Sequence, residues 1–168
     1  LEGRRAGTPG EQKAVDYIIE QYKGLGIQPM GNNGFMQNFS IDEGKRFASS
    51  AFIKVNNQSA IPQTDFFALS NSGSNAFTSR AARTLNEVSQ VWFKDVHEVL
   101  EENTSNPHFD MNEWISTTAT QLKNKGAVAL FLYNSGILID NIQFNKYDTA
   151  KALPIPVVYF TKQGFAKL

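Results

Sequence analysis

The chain contains two histidines, His97 and His108, and these are its best candidates for metal or acid–base chemistry. His108 lies two residues before Asp110, and a neutral imidazole beside a carboxylate is a suitable pair of zinc ligands. The pair, however, follows Asn106-Pro107 and opens a predicted helix, where Asp110 has the simpler role of an N-cap. We therefore predict that Asp110 caps the helix and that neither residue binds a metal.

The second histidine, His97, is followed by Glu98 and Glu101. The three residues fall in a predicted helix and fit a cluster on one of its faces. A solvated helix face explains this cluster more simply than a set of metal ligands does.

The remaining charged residues near the N-terminus form no obvious acid pair. Asp16 and Glu20 are one turn apart on the exposed face of a predicted helix, and Glu2 does not join them. Arg4 and Arg5 fit two roles, reaching toward a substrate cleft or holding the N-terminal segment to another domain, and the second is favoured because arginine readily forms forked hydrogen bonds. No Gly-x-Ser-x-Gly elbow or phosphate-binding loop occurs. The sequence thus predicts no catalytic and no metal-ligating residue, and leaves the binding residues unknown.

Composition narrows the class of protein. The 168 residues carry no net charge, so nothing favours binding to nucleic acid. Cysteine is absent, which excludes disulfides, thiol nucleophiles and cysteine-ligated zinc. No apolar run is long enough for a transmembrane helix. At 41% hydrophobic residues, the chain has enough apolar side chains for a buried core.

An amphipathic helix is predicted close to the N-terminus. Thr8 is a suitable N-cap, Pro9 fits the first helical position, and Glu11 completes a capping box. Apolar residues recur at helical spacing up to residue 25, and Gly24 and Gly26 provide a C-terminal stop.

Further elements follow from local patterns. A hairpin over residues 35–56 is predicted from two strand-like segments, with a linker at 57–62. Helices are predicted over 96–102 and 111–125, and Thr161 is predicted to cap a last helix. Residues 75–86 are ambiguous between strand and helix. The predicted core strands are Val88–Phe93, Ala127–Phe131 and Val157–Phe160, in a mixed or antiparallel open sheet.

The N-terminal segment carries a resemblance beyond its helix pattern. The string Gly3-Arg4-Arg5-Ala6-Gly7-Thr8-Pro9-Gly10-Glu11 resembles the opening of the peptidase domain in secreted di-zinc aminopeptidases of the aminopeptidase Y and glutamate carboxypeptidase type. In that family, a Gly-Arg-x-x-Gly-Thr-x-Gly-Glu segment leads into the first helix.

The second half carries its own resemblance. A helix ending in Lys125-Gly126-Ala127, a hydrophobic strand, a loop and then Ile155-Pro156-Val157-Val158 are similar to a protease-associated domain. In the aminopeptidases, such a domain is commonly inserted after the opening helix and strand. The resemblances imply an α+β fold with two parts: residues 1–57, a helix and hairpin of an incomplete peptidase domain, and residues 58–168, an open-barrel or sandwich domain of the protease-associated type.

These resemblances imply a function for the chain as part of a longer polypeptide. The expected function is the non-catalytic N-terminal portion of a zinc-dependent aminopeptidase, which shapes substrate access or protein contacts beside the cleft. The implied partners are a C-terminal peptidase domain and a peptide substrate, without nucleic acid or membrane insertion. No cofactor is expected in this chain, zinc is expected in the peptidase domain, and the implied location is extracellular, periplasmic or at the cell surface. Two alternatives stay open, a free-standing protein- or carbohydrate-binding module at a bacterial cell surface and an unrelated small-molecule-binding α/β domain.

Overall fold

The computed structural model describes residues 5–80 and 86–167. The chain divides into two compact units, Leu1–Glu43 and Gly44–Leu168. Gly3 and Arg4 of the opening motif, Glu2, and residues 81–85 of the ambiguous 75–86 segment lie outside the described residues. No helix or strand forms over residues 75–80.

The first unit is built around helix α1, Pro9–Gly24. The predicted cap is confirmed, because the Thr8 hydroxyl accepts a hydrogen bond from the Glu11 N–H. The Glu11 carboxylate reaches back to the N–H of Gly7, one residue before the usual capping-box partner. At the other end, Gly26 takes a φ of +73° and Ile27 N donates to Tyr22 O, which closes the helix as a Schellman motif.

The second unit contains a four-stranded mixed sheet in the order β3-β6-β5-β4. Strands β4, β5 and β6 are parallel, and β3 is antiparallel to β6. Helix α2 follows β4 directly, and helix α3 leads into β5. The strands are β3 Phe66–Ala68, β4 Val91–Asp95, β5 Ala129–Tyr133 and β6 Val157–Phe160, and the helices are α2 Val96–Glu102, α3 Met111–Asn124 and α4 Lys162–Ala166.

Two apolar layers cover the sheet. On one face, Ile115, Ala119 and Leu122 of α3 are buried together with Leu130 and Leu132 of β5. Trp114 packs partly buried against the same cluster, so the three predicted contact residues of this helix, Trp114, Ile115 and Leu122, are confirmed. The opposite face is rich in aromatic side chains, among them Phe66, Phe93, Phe131 and Phe160. The fold is therefore α+β with an open mixed sheet, and the described residues form no closed barrel.

The predicted hairpin over residues 35–56 is wrong. Strand β1, Ile53–Val55, pairs instead with strand β2, Gln58–Ala60, which lies within the predicted linker. Asn56 and Asn57 both take positive φ values, 48° and 68°, as the tight turn of a two-residue hairpin requires. Residues 35–41 form no strand, and only isolated bridges join Gly31 to Gly34 and Asn33 to Met36.

Two strand boundaries also differ from the prediction. Strand β4 begins at Val91, because Ser89 takes a φ of 63° and turns the chain, leaving Val88 largely exposed. Strand β5 is Ala129–Tyr133 instead of the predicted Ala127–Phe131. Strand β6 is Val157–Phe160, as predicted; it begins directly after Pro156 and lies between two other strands, so the proline marks the start of a strand.

Candidate functional site

The structure places His108 and Asp110 in the local turn that opens α3. Asp110 Oδ1 accepts hydrogen bonds from Asn112 N at 2.8 Å and Glu113 N at 3.2 Å. The N–H of His108 donates to Asn106 Oδ1 at 3.1 Å. The predicted role of Asp110 as an N-cap is confirmed.

Two charged residues of the first unit, Arg5 and Asp16, bond to other residues of the same unit. Arg5 pairs with Glu43 at 2.8 Å on the surface, and this hydrogen bond raises the pKa of the Arg5 guanidinium. Asp16 accepts a hydrogen bond from Gln12, one turn earlier on α1. Asp16 and Glu20 are exposed, as the sequence predicted.

The polar side chains that converge lie at the carboxyl ends of β4, β5 and β6. We name residues 134–142 the edge loop, since this segment leaves β5 at that edge. The carboxyl edge of parallel strands is where α/β sheets commonly bind ligands, because loops from neighbouring strands meet there.

Asp95 joins the edge loop to β4 and α2. Its Oδ1 accepts from His97 N at 3.0 Å, which caps α2, and from Ser135 N at 3.1 Å. The Ser135 hydroxyl donates to the other oxygen, Oδ2. One carboxylate therefore fixes both the start of a helix and the start of the edge loop.

Asn134 and Asp140 close the edge loop on itself. The buried Asn134 side chain donates to Leu138 O at 2.8 Å and to Asp140 Oδ2 at 2.7 Å, and it accepts from Gly136 N at 2.9 Å. The Tyr159 hydroxyl on β6 also donates to Asp140 Oδ2, at 2.7 Å. Burial and this hydrogen bond raise the pKa of Tyr159, so its hydroxyl stays protonated and remains a donor.

His97 packs against the edge loop instead of forming part of a fully solvated face. Its Nε2 lies 3.3 Å from Glu101 Oε1, one turn later on α2, while Glu98 is exposed. Its Nδ1 is buried without a hydrogen-bond partner, and the ring lies directly over Gly136. The prediction of a solvated cluster is correct for the two glutamates and wrong for the imidazole, whose side chain is 27% exposed.

The tip of the edge loop is apolar and faces solvent. Ile137 is 92% exposed and Ile139 is 81% exposed, with Leu138 between them at 37%. Lys162 of α4 donates to Gly136 O at 2.7 Å, next to this tip. The polar network thus holds an aliphatic protrusion in a defined conformation.

The arrangement differs from a nucleophilic triad. In a triad, an imidazole lies between the nucleophilic hydroxyl and a carboxylate. Here Ser135 donates directly to Asp95, and His97 pairs with Glu101. The geometry organises a loop and leaves its apolar tip exposed to solvent.

The buried carboxylate of Asp65 bonds to the C-terminal end of the second unit. Asp65 has no exposed surface and accepts from Ile61 N at 2.8 Å and from Lys167 Nζ at 2.7 and 2.9 Å. The hydrogen bond from Ile61 and the one from Lys167 lower the pKa of Asp65. Thr161, the confirmed cap of α4, donates through its N–H to Asp65 O, so this residue connects α4 to β3.

Sequence reasoning missed the edge-loop residues because the loop shows no regular pattern. One signal was available. Asp95 ends one strand of the sheet, and Asn134 and Ser135 follow the next along the chain, where loops of a parallel sheet converge.

The described residues include no group of three or more His, Asp or Glu side chains placed to hold a metal ion. Among the same residues, no helix is both long and apolar enough to cross a bilayer. Comparison with protein-family models, with curated proteins and with solved structures finds no match.

Proposed function

We propose that this chain is a non-catalytic N-terminal portion of a zinc-dependent aminopeptidase, in which a protease-associated-type domain shapes substrate access or protein contacts. The proposal includes an extracellular, periplasmic or cell-surface location. Its partners are a peptidase domain in the same polypeptide and a peptide substrate.

The observation that carries the proposal is the path of the chain from α3 to β6. Helix α3 ends in a Schellman motif at Gly126, where Ala127 N donates to Leu122 O, and the chain enters the fully buried part of β5. After a long loop, Pro156 leads into β6, which pairs in parallel with β5. A helix, a glycine junction, a core strand, a loop and an Ile-Pro strand occur in the order that the resemblance implies.

The edge loop supports a role in contacts. Its polar side chains bond to one another and to the ends of the neighbouring strands, whereas Ile137 and Ile139 face solvent. A loop that hydrogen bonds already hold in one conformation loses less conformational entropy on binding, which favours association of its exposed apolar tip with another protein surface.

Helix α1 gives a second line of support. None of its residues is buried, and the predicted apolar stripe includes the exposed side chains of Ile18, Tyr22 and, at the C-cap, Leu25. An amphipathic helix normally owes its stability to packing of its apolar face, so a covering domain explains this stripe.

The proposal assigns zinc to the peptidase domain and not to the described residues of this chain. Asp110 caps helix α3, and His97 packs against Gly136 of the edge loop. Neither belongs, among the described residues, to a group of three or more side chains that could hold a metal ion. In the proposal, the residues that bind zinc belong to the peptidase domain.

The coding sequence that continues past Leu168 in the parent gene tests the proposal. We expect a hydrophobic strand ending in His-x-Asp, followed by further acidic and histidine ligands. A stop codon close to Leu168 would instead favour the alternative, a free-standing protein- or carbohydrate-binding module at a bacterial cell surface.

A further inference from the structure

A cleft opens at the amino ends of β5 and β6, at the opposite end of these strands from the edge loop. Its volume is about 300 Å³, the lower end of the range of small-molecule sites. Three segments line it: residues 73–75, residues 126–128 and residues 154–156. Among the residues that the structure describes, Ser89 and Lys123 also line it.

Proline creates the opening between the two strands. The ladder between β5 and β6 begins with the hydrogen bond from Leu130 N to Pro156 O at 2.9 Å. Before that point, Val128 N donates its hydrogen bond to Gln90 O, in the segment that leads into β4, and not to the segment before β6. Pro154 and Pro156 have no N–H to donate. The two segments therefore separate and leave a gap at the edge of the sheet.

The lining of the cleft is mostly polar, with apolar surface at two prolines and a positive charge at the rim. Ala127 and Ile155 are buried in its floor beside the rings of Pro154 and Pro156. Lys123 is the only charged residue among the described residues of the lining, and no carboxylate of that part of the chain forms an ion pair with it.

The rim also offers neutral hydrogen-bonding groups. Ser74, Asn75 and Ser89 are exposed there, beside Lys123. The end of α3 does not compete for the ligand, since its last carbonyls accept from the N–H groups of Lys125, Gly126 and Ala127. A ligand that matches this lining is a small anion that carries an apolar group and hydrogen-bond acceptors.

We propose that this cleft binds the carboxylate end of an acylated amino acid or peptide whose last side chain is aliphatic. The carboxylate lies at Lys123, the side chain contacts the two prolines, and the amide faces the serine and asparagine side chains. The proposed function assigns no ligand to this cleft, so either proposal can fail without the other.

The test is a titration of the ¹⁵N-labelled 168-residue chain, followed by amide chemical shifts, with N-acetyl-leucine and with N-acetyl-leucinamide. We expect saturable shifts in the three lining segments with the acid, and binding about two- to fivefold weaker with the amide, the effect of one exposed ion pair. Lys123→Gln should weaken binding of the acid by the same factor and leave binding of the amide unchanged.

Lys125→Gln is the matched control, because Lys125 is an exposed lysine two residues away that does not line the cleft. Its affinity for the acid should equal that of the unmodified chain. The inference is overturned by an absence of saturable shifts at tens of millimolar acid, by shifts centred elsewhere, by equal affinities for acid and amide, or by equal effects of the two lysine substitutions.

Discussion

The contact between Gly136 and His97 gives the sharpest test of how the edge loop is held. A Cβ added at Gly136 would lie 2.6 Å from both Cγ and Cε1 of the His97 ring, and closer still to Nδ1. The backbone of Gly136 does not have a positive φ, so the substitution adds a steric conflict without backbone strain. Gly136→Ala should therefore report directly on the loop–helix contact.

The expected magnitude combines two opposing terms. Overpacking a filled site costs about 1–3 kcal/mol. Replacing glycine by alanine also restricts the unfolded chain, which stabilises the folded state by about 0.4–1 kcal/mol. The net loss should be about 1–2 kcal/mol, and removing the ring by His97→Ala should convert it into a small gain.

The assay is urea unfolding of the single and double variants, followed by tryptophan fluorescence. Both tryptophans, Trp92 and Trp114, lie in the second unit and pack in or against its core, so the signal follows the unit that contains the loop. The double-mutant cycle should show a coupling energy of about 1–3 kcal/mol between the two positions, because removing the ring removes the whole overpacking cost. The reasoning is refuted if Gly136→Ala leaves the free energy of unfolding unchanged, or if its cost is the same with and without the imidazole.

Three further predictions follow from individual contacts. Asp110→Ala should lower the free energy of unfolding by about 1 kcal/mol, the usual cost of a lost N-cap, whereas Asp110→Asn should keep most of the cap's stabilisation. Urea unfolding measures both variants. Zinc bound in proportion to the protein, and lost in Asp110→Ala, would contradict the assignment of Asp110 as a cap. Tyr159→Phe should cost about 1 kcal/mol in the same assay and increase hydrogen exchange in the edge loop, because Asp140 loses a donor; unchanged exchange would refute the network. The contribution of the Asp65 carboxylate should be complete at neutral pH, because its folded-state pKa lies below the ordinary value of 3.8, and should decline as the pH falls through that range. Asp65→Asn should remove this part of the acid dependence of the free energy of unfolding, and an unchanged pH profile would contradict the pairing with Lys167.

Features fixed by short-range chemistry could be predicted from the sequence. Thr8, Asp110 and Thr161 all cap helices, because an N-cap depends only on a side chain and the next three residues. The buried run after Gly126 was recognisable as a core strand, since parallel strands covered on both faces show continuous hydrophobicity.

Features that depend on partners distant in the chain could not be predicted. The alternation over residues 35–41 fits a strand, yet the neighbouring β1 finds a closer partner across the Asn56-Asn57 turn. Asp95 and Ser135 are 40 residues apart, and their bond exists only because β4 and β5 pair in parallel. The cleft likewise requires three segments that are distant in the chain.

The measurement that tests the central claim most directly is hydrolysis of aminoacyl-p-nitroanilides, with and without a chelator, by the 168-residue chain and by the product of the full parent gene. We expect the parent protein to bind zinc and to release N-terminal residues in a chelator-sensitive reaction, and the 168-residue chain to be inactive with or without added zinc. Chelator-sensitive turnover by the 168-residue chain, or a parent protein that is inactive and free of zinc, would contradict the account.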